Sequence, residues 1–160
     1  MKNILLSIVT LILFFSCTSR ADRIDTSGNS EGELEVTIDG VDTTFGFVRL
    51  GDDLYVSNGV TYNNLNVIAN TSQYSETRIG LIVLTDAISN EILNITDFQY
   101  SKDNITYSLF YSPDFSVNII SFDGERLEAE FSGSLYGMNE NSESVYVDMT
   151  NGYLTVADLY

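Results

Sequence analysis

Carboxylates, tyrosines and a few amines are the side chains of this 160-residue chain that could do chemistry. Histidine and tryptophan are absent and cysteine occurs once. Without histidine the chain lacks the usual general base near neutral pH and the commonest metal ligand. A Ser-His-Asp or Cys-His nucleophile is therefore excluded. So, in practice, is a zinc site, which draws on imidazole and thiolate. Paired carboxylates remain, and with them the chemistry of glycoside hydrolysis. The candidates are Asp52, Asp53, Glu76, Asp86, Asp97, Glu128 and Glu130. Most alternate outward along strand-like text or fall in turns, and no local motif raises any pair above the rest. A serine–lysine pair would have to use Lys102, which "YSKDN" sets beside Asp103 in a hairpin loop, the place of an exposed, paired amine.

The oxygen-rich stretches "LGDDLYVSNG" and "NENSESVYVD" offer carboxylates and carbonyls to calcium, but neither has D-x-D-x-D-G spacing. Plain turn chemistry accounts for both, so no cofactor is expected and calcium is the one candidate considered. Tyr55, Tyr62, Tyr74, Tyr100, Tyr107 and Tyr111 could form sugar-stacking platforms or pack half-buried in a sheet. "DTT" at Asp42–Thr44 resembles the short O-glycosylation site of Bacteroidetes exported proteins, with Thr43 as acceptor. The Asn-x-Ser/Thr triplets at Asn70, Asn94 and Asn104 carry little weight in a chain with a bacterial-looking export signal.

Charge narrows the partners. A formal net charge of −16 is incompatible with a phosphate backbone, which is bound by clustered Lys and Arg. Nucleic acid is excluded as a partner, and docking to an anionic lipid surface by charge alone is disfavoured.

The single cysteine has a specific position. Lys2 is followed by the apolar run Ile4–Phe15 and then by Ser16-Cys17. The run is shorter than the roughly 20 residues a spanning helix needs; a charged start, a short apolar stretch and a small residue before the cut describe an export signal. Cys17 makes this resemble a bacterial lipoprotein signal, in which cleavage precedes the cysteine and the cysteine is lipidated. Phe14 and Phe15 depart from the Leu–small–small pattern, as in Bacteroidetes-type lipoproteins. The resemblance implies a signal peptide over 1–16 and palmitate-type acylation at Cys17. It also implies an address in the cell envelope, on the periplasmic face of the outer membrane or on the cell surface. Several acyl chains suffice for stable anchoring where one is marginal. The polar stretch that follows, without apolar periodicity, completes a lipidated, flexible tether over 17–32.

From residue 33 the text becomes β-like, and 33–160 is expected to be one domain. "ELEVTID" alternates Leu34, Val36 and Ile38 with polar residues, the period of a half-buried strand. "RLEAEFSGSLYG" does the same with Leu127, Ala129, Phe131 and Leu135, its "SGSLYG" spaced like a strand with a bulge glycine. "NG" at 58–59 and "DGE" at 123–125 are hairpin turns, and "GDD" at 51–53 reads as another turn. "RIGLIVLT" is apolar enough for a mid-sheet strand covered on both faces. "ITYSLFYS" reads as one strand through Tyr111, "DAISNEILN" as the one place for a helical turn capped by Asp86, and "SVYVDMT-NG-YLTVADLY" as a closing hairpin. Nine or ten short strands with turn signals every 8–12 residues indicate an all-β fold, an antiparallel β-sandwich with a barrel as the alternative.

The opening "LEVTIDGVDTTF" and the close "RLEAEFSGSLYG…SVYVDMTNGYL" resemble a group of small all-β lipoproteins of unknown function from Bacteroidetes-type bacteria. These motifs are structural, and the resemblance implies fold and anchoring but transfers no catalytic residue. The expectation is a non-enzymatic, membrane-anchored lipoprotein. Its β-domain would meet an unknown protein or glycan, or serve envelope structure. The alternatives are a carboxylate-based enzyme acting on a glycan and a component of an envelope complex with no small ligand.

Overall fold

The computed structural model describes residues 29–159. The signal segment, Cys17 and most of the expected tether lie outside the described residues.

The domain is all-β and antiparallel. Its strands are β1 (Asn29–Ile38), β2 (Val41–Phe45), β3 (Phe47–Ser57), β4 (Val60–Asn70), β5 (Arg78–Asp86), β6 (Ile92–Lys102), β7 (Ile105–Ser108), β8 (Ser116–Phe122), β9 (Arg126–Met138) and β10 (Ser144–Leu159). The hydrogen-bonded order is β2-β1-β10-β9-β7-β6-β5-β4-β3, with β8 added along β9. One layer comprises β2, β1, β10, β9 and β8; the other comprises β7 to β3. They are joined by a single short seam, Tyr107↔Gly137 and Ser108↔Tyr136. The sheet then folds over, bringing β3 back against β1 and β10. The path ends at β2 and β3, so the fold is a sandwich made from one open sheet rather than a closed barrel.

The inward face of each layer is the apolar half of the alternation. Leu34, Val36 and Ile38 of β1 and Leu127, Ala129, Phe131 and Leu135 of β9 are buried, as their spacing predicts. Opposite them lie Val48, Leu50, Leu65, Val67, Ala69, Ile79, Leu81 and Val83. Phe98 of β6 reaches across to Phe131 of β9, with ring centroids 4.9 Å apart, and Phe115 packs 4.7 Å from Phe98. Tilted aromatic contacts of this kind add to the area each ring buries.

Turns follow local chemistry. Asp39-Gly40 and Asn58-Gly59 both have positive φ at each position, as a two-residue turn matched to strand twist requires. Asp123 closes the β8–β9 turn by accepting from the backbone N–H groups of Arg126 and Glu125 at 2.7 and 2.9 Å.

Several expectations are corrected. Gly51-Asp52-Asp53 is not a turn; it continues β3 opposite Asn66, Leu65 and Asn64 of β4. Asn151-Gly152 does not turn the chain either. It forms a bulge inside the unbroken β10, where the register with β9 shifts between Met149 and Gly152. Asn151 supplies the positive φ. A Cβ on Gly152 would run into the ring and carbonyl oxygen of Phe131. On β9 opposite, Gly133 also has positive φ, and a Cβ there would strike the Asp114 carbonyl. Strand β7 stops at Ser108, whose hydroxyl caps the single-turn 3-10 helix Leu109–Tyr111, so Tyr111 leaves the sheet and is exposed. "DAISN", by contrast, does make the single helical turn expected of it: the Asn90 N–H donates to the Asp86 carbonyl at 3.0 Å, and the Asp86 carboxylate caps it by accepting from the N–H groups of Ile88 and Ser89. Strand β1 starts at Asn29, so Asn29–Gly32, read as tether, pair with Val156–Leu159 of β10. Strand β5 is covered on one face only, its other side alternating as half-buried residues.

Candidate binding groove on the outer face

The open side of β5 is central to the most distinctive surface of the domain. In the layer β3-β4-β5-β6, register aligns outward residues in rows across the strands. One row is Gly51–Asn66–Ile82–Asp97, the next Arg49–Ile68–Gly80–Gln99, and the next Phe47–Asn70–Arg78–Ser101. A strand pleat sends every second side chain to one face, so these residues stand side by side. Gly80 contributes none. Nothing lies within 4 Å of where its Cβ would be, and the gap is a hollow of about 290 Å³ lined by Asn66, Ile68, Arg78, Ile82, Asp97 and Gln99 among others.

The lining is partly fixed. Gln99 Nε2 donates to Asp97 Oδ2 at 2.7 Å, and Asn66 Nδ2 donates to the Asn64 carbonyl at 3.2 Å. Each planar group thus keeps a defined orientation while part of its hydrogen-bonding capacity faces the hollow. Ile68, 45 % exposed, and half-buried Ile82 form apolar walls. A second depression, lined by Ser75, Glu76, Lys102 and Thr106 among others, adjoins the first and shares Arg78 and Ser101 with it. At the opposite end of the face Tyr55 and Tyr62 stack, with centroids 5.3 Å apart and planes inclined by 24°.

Of the seven carboxylates singled out from sequence, the structure brings Asp97 to the hollow and Glu76 to the depression beside it. Asp52 and Asp53 sit exposed toward the β3–β4 tip, Asp86 caps its turn, and Glu128 and Glu130 stand on β9. None of the seven is buried. Asp86 is held below the usual carboxylate range by the N–H groups of Ser89 and then Ile88. Asp123 is lowered likewise by Arg126 and Glu125. Both serve turns.

The tyrosines divide. Tyr100 is buried, and burial, followed by the neighbouring Tyr107, pushes its phenol up to about 12. Tyr107 is raised as well, first by burial, and the two rings stack 5.7 Å apart. Tyr74 and Tyr111 are exposed. Only Tyr55 and Tyr62 combine pairing with a place on the grooved face. Thr43 is half-buried on β2, on the side it shares with Phe45, and its hydroxyl donates to the Val41 carbonyl at 3.3 Å. Lys102 ends β6 and is exposed, and Asp103 lies in the β6–β7 turn with positive φ. Contrary to the expected pairing, no ion pair joins Lys102 to a carboxylate among the described residues. The loop 139–143 is self-satisfied: Asn139 Oδ1 accepts from the N–H groups of Asn141 and Glu143, and Asn139 Nδ2 donates to Glu143 Oε2. Among the described residues no three His, Cys, Asp or Glu side chains gather as a metal site.

Asn66, Ile68, Arg78, Gly80, Ile82 and Gln99 were not singled out by motif. Alternation within "LNVIAN" marks Asn66 and Ile68 as outward, but "RIGLIVLT" is too uniformly apolar to mark Arg78, Gly80 and Ile82, and only register brings them together with Gln99. No protein-family model matches this chain, and no curated protein matches its sequence.

Proposed function

We propose that this protein is an exported lipoprotein, held in the cell envelope through Cys17, whose β-sandwich is a non-catalytic binding module. The observation that supports this reading is the contrast between the two faces of the β3–β6 layer. The inner face is filled with apolar side chains, and the outer one holds the hollow over Gly80 between oriented amides and apolar walls. Pockets of this composition, apolar with a few placed polar groups, suit recognition. The seven sequence-nominated carboxylates lie on exposed or half-buried surface, which weighs against a glycan-acting enzyme, where one carboxyl must stay protonated near neutral pH.

A second reading, a component of an envelope complex, is favoured by one feature. Leu54, Tyr55, Val56 and Val60 at the tip of the β3–β4 hairpin are all exposed, and clustered surface hydrophobics suit a protein partner.

Protease treatment of intact cells tests the placement, with Cys17→Ala as the anchoring control. Digestion in intact cells is the outcome expected for a surface module capturing an external ligand. Protection until the envelope is opened favours the complex component. A Cys17→Ala protein that stays with the membrane overturns the lipid anchor.

A further inference from the structure

We propose that the groove over Gly80 binds a short oligosaccharide bearing a carboxylate, an inference that rests on the binding-module reading above. The first argument is charge. The chain is strongly acidic, yet two of the four cationic side chains in the described region stand on this one face and a third borders it. Arg49 and Arg78 stand outward on β3 and β5, and Lys102 lines the adjoining depression with Arg78. The fourth, Arg126, sits where its charge helps to lower Asp123. No ion pair joins Arg49, Arg78 or Lys102 to a carboxylate among the described residues, although Glu76 lines the same end. Strand spacing and rise put the Arg49 and Arg78 Cα atoms about 12 Å apart, a span two guanidinium arms can close on one carboxylate.

The second argument is shape and polarity. The hollow beside Arg78 is floored by Gly80 and walled by Ile68 and Ile82, with Asn66, Gln99, Asp97 and Ser101 around it. A pyranose presents apolar C–H faces and a rim of hydroxyls that both donate and accept. Amides and a carboxylate answer the hydroxyls, and the isoleucines answer the ring. From Tyr62 to Asn70 the face runs roughly 27 Å along β4, long enough for several sugar units. The Tyr55–Tyr62 stack offers a ring surface at the far end. The net negative charge of the chain opposes a long polyanion, which is why the ligand is short and carries few charges.

The test uses the full-length lipoprotein in detergent micelles, titrated calorimetrically with sialyllactose, trigalacturonate and lactose. Sialyllactose, trigalacturonate or both should bind, more weakly as salt rises, and lactose at least about tenfold more weakly, as expected for a lost charge-assisted contact. Arg78→Gln should remove most of that preference. Gly80→Val should abolish binding while leaving the melting temperature unchanged or raised, because the space is open and valine suits a strand. Equal binding of lactose overturns the carboxylate assignment. Undiminished binding by a folded Gly80→Val protein overturns the site, and binding of none of the three sugars overturns the inference. Release of new reducing ends from a bound sugar would instead defeat the non-catalytic reading, while loss of binding in Gly80→Val would still uphold the groove.

Discussion

The base and the tip of the β3–β4 hairpin carry the same alternation of side chains and end in opposite surroundings. At the base, Val48, Leu50, Leu65, Val67 and Ala69 are buried against the facing layer. Farther along the same inward side, Leu54 and Val56 are 60 % and 68 % exposed. Near them Asn63 leaves its Oδ1 unpartnered, and Thr85 is buried beside it, its hydroxyl 3.4 Å from the Asn63 carbonyl. The hairpin outruns the layer that covers it. Alternation therefore says which way a side chain points, and the opposite layer decides whether pointing inward means burial.

The sharpest way to break this contrast is truncation at matched positions. Leu65→Ala at the base should cost about 2–5 kcal/mol, through lost transfer energy and the cavity left behind. Leu54→Ala at the tip should stay within about 0.5 kcal/mol. Urea denaturation of both variants measures the difference, and equal losses would mean that the tip is covered. Gly152→Ala should come next, at about 1–3 kcal/mol for overpacking, because the added methyl meets the Phe131 ring.

Alkali should act on the buried end of β6, where Tyr100 lies. A phenol whose folded pKa is raised to about 12 from 10.0 contributes stability that is whole below the unfolded value and fades as pH climbs toward the folded one. The Tyr100→Phe protein should therefore lose less stability than the parent between these two values. The smallest effect is expected at Asp86, in the turn whose Ala87 N–H donates to the Thr61 carbonyl beside the tip. Its carboxyl is lowered from 3.8, so its contribution is present above that value and is lost as pH falls through the lower folded one. Asp86→Asn should lower the melting temperature slightly at neutral pH, flatten the acid limb of a pH-melting curve to match, and converge with the parent once the carboxyl is protonated.

Strand text was legible wherever the facing layer is present, as for Leu34, Val36 and Ile38 or Leu127, Ala129 and Phe131. It misled where one local conformation serves two purposes. Positive φ at Asn58 turns the chain, and at Asn151 it accommodates a bulge; nothing local to an Asn-Gly pair distinguishes these, because the distinction lies in what β9 places opposite. Gly51-Asp52-Asp53 looked like a turn because both aspartates are exposed, whichever side of the strand they take. The groove was illegible for a related reason. Gly80 reads as a weak spot in an apolar strand until its register neighbours Ile68 and Gln99 are known, and register across several strands is not written in any one of them.

The division of the chain between the layers also sets the order in which the molecule can be built. Strands β3 to β7 are consecutive, each paired with its sequence neighbour, so that layer grows by successive short hairpin closures. The other layer is assembled from both sides of it. Its β1–β10 ladder ends where Ile38 pairs with Met149, and just beyond it the Asp148 N–H donates to the carboxylate of Asp39 in the β1–β2 turn, 109 positions away. Loop-closure entropy must be met before such a pairing returns anything, and non-local pairing slows folding. The β4–β5–β6 meander can therefore serve as the nucleus, with β1 docking on β10 as the late event. A destabilising change in the meander then slows folding, and one in β1 chiefly hastens unfolding.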